Sequence, residues 1–409
     1  MRRNPALETL PGKKKGELAI FLAAGLVESA FFGQLIAFTP LYLPELGVPP
    51  GLTGYFTGLM ASVTMFIVVP ALQRWGQLTD QLTRKQVIVR SFLLNAAVAG
   101  AAILAGNVWI FLFGRAITLL TMDSNGLILN FLENSQPGQS RSTGALMALV
   151  PQLGVFLGPL AAGFFLDELG FRSIIAFNLV LLLAISFLVH TRIQSIDVTE
   201  EQKPVLRILR DSLGLVIQSP RLSLLYLALT LMVAAWILVF AYLPLSVTSL
   251  SPDIGPGSAV GLVLGLGGAA GILVSTALTN IGRKTGEWGA LLIVVLGGAL
   301  LSILPAEAEN SSQLIFVWML ISGCASAGFT LLYRVIVRSA ARLNVALVLS
   351  LAILPVNGGM ILGPVIGSFL AVPVIRGVYP AAMALNLIAL SVLILASRLP
   401  IPGENQDAG

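Results

Sequence analysis

Apolar runs long enough to cross a bilayer alternate with short polar connectors along the whole chain. They fall at about 18–43, 52–72, 86–106, 107–133, 143–166 and 173–191, and after a polar stretch at about 221–246, 257–280, 288–305, 313–337, 345–370 and 378–397. A helical span needs roughly 20 apolar residues to cross roughly 30 Å of hydrocarbon, so the pattern predicts twelve transmembrane helices in two sets of six. The expected divisions are a tail at 1–17, a first six-helix bundle at 18–191, a connector at 192–220, a second bundle at 221–398 and a tail at 399–409. Within the connector, Leu206, Leu209, Leu213, Val216 and Ile217 recur at helical spacing between Pro204 and Pro220. That spacing predicts an amphipathic helix lying on the membrane face.

Composition turns this pattern into a class. Hydrophobic residues make up 56% of the chain and charged residues 11%, against about 25% charged in soluble domains, and the mean hydropathy is +0.91. Such a chain cannot cover an aqueous surface, so it is read as an all-α integral membrane protein. Of the 24 Lys and Arg residues, 21 fall on the side that holds both termini, Arg172 and Arg376 fall on the other, and Arg115 lies within a span. This bias places both termini in the cytoplasm, and it explains the net charge of +5 without a nucleic-acid partner. One cysteine (Cys324) and one histidine (His190) leave no disulfide framework and no histidine metal cluster. Neither a phosphate-binding glycine loop with lysine nor a GxSxG elbow is present. Neither an enzyme nor an ATP-driven pump is expected, and neither a metal nor a cofactor.

Two of the spans are built from poor helix formers. The segment "GVFLGPLAAG", Gly154 to Gly163, is echoed 205 residues later by "GMILGPVIGS", Gly359 to Ser368. Gly and Pro are the least favourable residues in a helix interior. Gly154 and Gly158 lie one turn apart and allow another helix to approach closely, while Pro159 removes a backbone donor and bends the span. Span 8 offers a matching smooth surface in Gly261, Gly265, Gly267, Gly268 and Gly271. The echo predicts two homologous halves that rock past each other on a kinked contact surface.

Charge inside the membrane marks the candidate chemistry. Glu28 is the sole acid of span 1 and sits near mid-depth, Arg115 lies inside span 4, and Asp123 follows it at mid-depth. Intramembrane ionisable groups are costly and mark function by default, and a carboxylate in low dielectric can exchange protons near neutral pH. Glu28 is therefore the leading proton carrier, with Arg115 and Asp123 tuning it. Gln34, Asn125, Gln152, Trp236, Tyr242, Tyr333 and Asn357 are candidate substrate-cavity residues. Asp167, Glu168, Asp253, Glu307 and Glu309 fall in outer loops and are expected to be solvated.

Three motifs carry a family resemblance. "WGQLTDQLTRK", with Gly76, Asp80, Arg84 and Lys85, resembles the loop between spans 2 and 3 of the major facilitator superfamily, with Thr83 where that family usually has glycine. A degenerate copy, "ALTNIGRKTG", lies between spans 8 and 9. Arg115 resembles the span-4 arginine of proton-coupled members. Gly154, Gly158, Pro159 and Gly163 resemble the antiporter signature in span 5, with Ala162 in place of the penultimate glycine.

The resemblance is to the twelve-span drug:proton antiporter branch. It implies two six-helix bundles that alternate access, and a cytoplasmic latch made by Gly76, Asp80, Arg84 and Lys85. It further implies proton-driven export of small amphipathic organic compounds from a bacterial cytoplasmic membrane by a monomer. The partners so implied are a small-molecule substrate, protons and the lipid bilayer. The alternatives are a metabolite carrier for sugars or organic anions, with Arg115 binding an anionic group, and a non-transporting membrane scaffold.

Overall fold

Backbone crossing hydrocarbon has to satisfy its N–H and C=O groups within its own segment, and each described apolar run is accordingly helical. The computed structural model describes residues 12–66, 83–117, 140–193, 219–250, 254–340, 348–349, 351–371 and 375–400. In chain order the first helices are α1 (Gly12–Tyr42), α2 (Thr53–Phe66), α3 (Arg84–Leu104) and α4 (Val108–Ile117). A run at Ser140–Arg192 then divides into α5 and α6 at Gly170. The remainder are α7 (Pro220–Leu250), α8 (Pro256–Thr285), α9 (Glu287–Leu301), α10 (Ser311–Ser339), α11 (Ile353–Leu370) and α12 (Val378–Ser397).

Among the described residues, nine helical segments are long and apolar enough to span a membrane. One of these is the double run, and the described parts of α2 and α4 are shorter. α1 begins at Gly12, ahead of the expected residue 18. The expected connector helix and Asp253 lie outside the described residues.

Gly170 turns one helix into two spans. Its φ of 75° and ψ of 164° belong to a region that only glycine enters without strain. The chain folds back there, since Gly158 on one side of the break and Asn178 on the other both bond to Gln34 of α1. α8 carries a π-turn at Leu262–Leu266, and the Trp318 indole of α10 donates to the Leu264 carbonyl inside it (3.3 Å).

The helices sort into two halves. α1 packs on the α5–α6 run, and α3 packs on that run and on α4; α7 packs on α10, α11 and α12, while α10 also holds α8 and α9. The halves meet along two seams, α2 against α11 and α5 against α8. Both seams include the end of the molecule that carries Gly170, where Gly54 meets Ala371 and Gly257 meets Leu166.

The glycine motif is divided between two neighbours, which corrects the expectation that Gly154 and Gly158 face span 8. A Cβ on Gly154 would come within 2.6 Å of Ser29 Cβ, and one on Gly158 within 2.6 Å of Ala30 Cα. Both glycines therefore seat α1 inside their own half. Gly163 alone of the four motif residues has its missing side chain opposite α8, 2.6 Å from the Gly257 carbonyl oxygen, while the Pro159 carbonyl faces Gly261. The second half repeats the arrangement: Gly359 and Gly363 of α11 abut Thr230 and Ala234 of α7, and the Pro364 carbonyl faces Gly58 of α2. The contacts on α1 and α7 thus recur 204 residues apart (Ala30 to Ala234), matching the 205-residue echo of the motif within one position.

Candidate functional site

Glu28 sits half-buried on α1, where its Oε1 accepts from the Asn95 amide of α3 at 3.3 Å. Asn95 is buried one turn beyond the buried Ser91 on a mostly apolar face of α3, and nothing in its local spacing marks it beyond being a lone amide in a span. A neutral amide donor suits an acid that changes protonation, because it can bond the carboxylate oxygen without fixing a charge. Arg115 lies in the last described turn of α4 with 3% of its surface exposed. Asp123 and Asn125 lie outside the described residues, as do Gly76 and Asp80.

Gln34 belongs to a buried network rather than to an open wall. Its Nε2 donates to the Gly158 carbonyl at 3.1 Å, and its Oε1 accepts from Asn178 Nδ2 at 2.6 Å. α1, α5 and α6 are thereby tied at one point, directly beside the glycine contact. Replacing Gln34 with Leu leaves the Asn178 amide and the Gly158 carbonyl short of these bonds, at about 1–2 kcal/mol in a membrane interior. The expected result is a fall in the melting temperature of the detergent-solubilised protein, matched by Asn178→Leu and not deepened in the double variant.

The remaining cavity candidates separate. Tyr242 is fully buried on α7, and its hydroxyl donates across the seam to the Gly54 carbonyl of α2 at 3.0 Å. Trp236 is half-buried, stacked on Phe240 at 5.2 Å and edge-on to Phe329 at 6.4 Å. Together with Cys324, Ser302 and Asn386 it lines a small cavity inside the second half, among α7, α9, α10 and α12. Tyr333 of α10 and Asn357 of α11 are half-buried, and Gln152 of α5 is exposed. His190 is exposed at the end of α6.

Two residues acquire roles other than those expected of them. Thr83, which breaks the loop motif, is the N-cap of α3: its Oγ1 accepts from the Gln86 N–H at 3.3 Å, and Gln86 Oε1 accepts from the Thr83 N–H at 2.8 Å. This reciprocal capping box starts α3 at Arg84, and it brings Lys85 half-buried onto the first turn. Asp167 was expected in a solvated loop. It is exposed as expected, but it lies on the last turn of α5 rather than in a loop, and both its carboxylate oxygens accept backbone N–H groups from the opposite half.

Two six-helix halves meeting on glycine-lined seams, with an acid and an arginine inside the spans of one half, define a membrane transporter. The chain belongs to the Major Facilitator Superfamily, whose family profile matches residues 20–306. It is similar to "Multidrug resistance protein MdtG" of Salmonella typhimurium, at 26% identity over 332 residues, covering 78% of this chain and 79% of that one. The Citrobacter koseri protein of the same name is 28% identical over 323 residues, covering 75% and 76%. In fold it is similar to the nucleoside transporter NupG, with a TM-score of 0.78 at 12% identity over 94% of this chain and 99% of that one. A bacterial homolog of the human lysosomal transporter Spinster, in an inward-facing and occupied conformation, gives a TM-score of 0.74 at 12% identity over 95% and 98%. The protein is thus a membrane-embedded carrier of small molecules and not an enzyme.

Proposed function

We propose that this transporter exports small amphipathic organic compounds, cationic or neutral, in exchange for protons. The observation that carries the reading is Glu28, a half-buried carboxylate within an apolar span and in contact with the neutral amide of Asn95. The name carried by the Salmonella and Citrobacter relatives, multidrug resistance protein, supports the substrate class. The span-5 pattern of Gly154, Gly158, Pro159 and Gly163 supports exchange.

In this reading the halves pivot on the α2–α11 and α5–α8 seams, and Glu28 is exposed to either side in turn. Protonation from outside releases substrate, and deprotonation inside prepares the site for the next. Arg115 and Asp123 tune that exchange, and Asp80 with Arg84 and Lys85 latches the cytoplasmic face. Both termini lie in the cytoplasm of a bacterial inner membrane, so the Gly170 end faces outward, and the unit is a monomer.

The testing experiment is a substrate screen in proteoliposomes with an imposed pH gradient, scoring substrate movement and proton release together. Coupled movement of a lipophilic cation or neutral drug supports the reading; uptake that is indifferent to the gradient overturns it. The buried Arg115 favours one second reading, a carrier of anionic metabolites. Arg115→Lys keeps the charge and loses the planar bidentate fork. For an anionic cargo it weakens binding about tenfold or more, whereas for the proposed cargo it leaves binding near wild type and uncouples the proton. Equilibrium binding of a fluorescent substrate distinguishes the two.

A further inference from the structure

The α5–α8 seam contains a helix cap supplied from the wrong half of the molecule. α8 begins at Pro256 after Gly255, and Gly255 offers no side chain to its own helix. The first turn of a helix leaves backbone N–H groups without intrahelical partners. Pro256 has none to satisfy, and the next two are taken by one side chain: Gly257 N–H donates to Asp167 Oδ1 at 2.7 Å, and Ser258 N–H to Asp167 Oδ2 at 2.8 Å. These are the positions that an N-cap aspartate ordinarily serves in its own helix, and the negative charge sits where the α8 dipole is positive. Asp167, however, is one of two adjacent acids in the last turn of α5, 90 residues earlier in the chain than Gly257 and in the other half.

The surroundings are shaped to this contact. A side chain on Gly255 would run into the Asp167 carboxylate, and one on Gly257 would lie 2.7 Å from Leu166 Cβ. Ser258 adds a bond from its hydroxyl to the Gly163 carbonyl at 3.3 Å, one turn back along α5. On the companion seam, Tyr242 reaches Gly54.

We infer that Asp167 is a gating residue, a cap in trans that holds the outward end closed and has to leave the α8 N-terminus when that end opens. This inference rests on the alternating-access reading above and adds to it the identity of a contact that sets the balance between states. The two halves cannot separate at the Gly170 end without releasing both N–H groups. The open state must therefore either solvate them or recap them, and either replaces a charge-assisted pair of bonds. Asp167 touches neither cargo nor Glu28 in this account; it acts through the position of α8.

The test places spin labels at Leu52 and Leu304 by cysteine substitution in a Cys324→Ala background. Both are partly exposed, at 41% and 39%, and they stand at the Gly170 end of opposite halves. Distance distributions in lipid nanodiscs then report the ratio of open to closed outward ends. Asp167→Ala is expected to raise that ratio about tenfold, within the range that loss of a helix cap produces. Asp167→Asn, which keeps one acceptor and loses the charge, shifts it less. Ser258→Ala, which removes only the hydroxyl bond, shifts it least and in the same direction.

A wild type that switches between two distances, with an Asp167→Ala ratio that does not move, overturns the gating role and leaves alternating access intact. A wild type fixed at one distance at every pH and with every substrate overturns both. If the alanine variant does not accumulate as folded protein, the near-isosteric Asp167→Asn carries the comparison, and an unchanged ratio there sinks the inference.

Discussion

Glu28→Gln is expected to abolish export driven by a pH gradient, to the level of protein-free vesicles, while the protein remains folded and inserted. The replacement is nearly isosteric, and its carbonyl can accept the Asn95 amide at the same place as Glu28 Oε1, so the α1–α3 contact survives. What is lost is the ability to give up a proton, since glutamine imitates only the protonated acid. Substrate exchange without a gradient, measured as counterflow of labelled against unlabelled compound, should persist, because it needs the pivot and not the proton cycle. Undiminished gradient-driven export by this variant would remove Glu28 from the mechanism and leave it a packing residue.

Gly158→Val and Gly163→Val are expected to fail in different ways, although they differ only in position along one helix. Gly158 faces the Ala30 backbone inside its own half, and no rotamer can move a backbone aside. Adding an isopropyl group there forces α1 off α5 and strains the Gln34 bond to the Gly158 carbonyl. Overpacking costs about 1–3 kcal/mol, and more where the obstacle is main chain. The measurable outcome is loss of folded protein by size-exclusion profile and thermal melt.

Gly163 faces Gly257 and Gly261 across the seam. There the added bulk is relieved when the halves part, so the protein should fold and its outward end should shift toward open. Equal destabilisation of both variants, with no change in the Leu52–Leu304 distance for Gly163→Val, would contradict this division of the motif.

The span-5 motif also shows how much of the site could be read in advance. Its residue types predicted close helix approach, and close approach is what the structure contains. Its neighbours were not predictable, because a glycine presents the same bare face to any helix that reaches it. Gln34 was readable as a polar residue in a span, but its partners Asn178 and Gly158 lie 144 and 124 positions away. Thr83 looked like a lapse in a loop motif and proved to be a cap, a role that the Gln86 three residues later could have signalled. The contact made by Asp167 could not be read, since an acid near a span end is most often simply solvated, and its partner is the start of a helix in the other half.

The sequence by itself determined the helical class, the succession of spans, the two-fold echo and the places where charge enters the membrane. Those follow from local rules: hydrocarbon forces each segment to satisfy its own backbone, and hydropathy accumulates residue by residue. The tertiary structure alone decided which glycines seat α1 and which face the other half, which amides close a network, and which acid caps which helix. Those depend on pairings between residues far apart in the chain, selected by packing geometry that no local window of sequence contains.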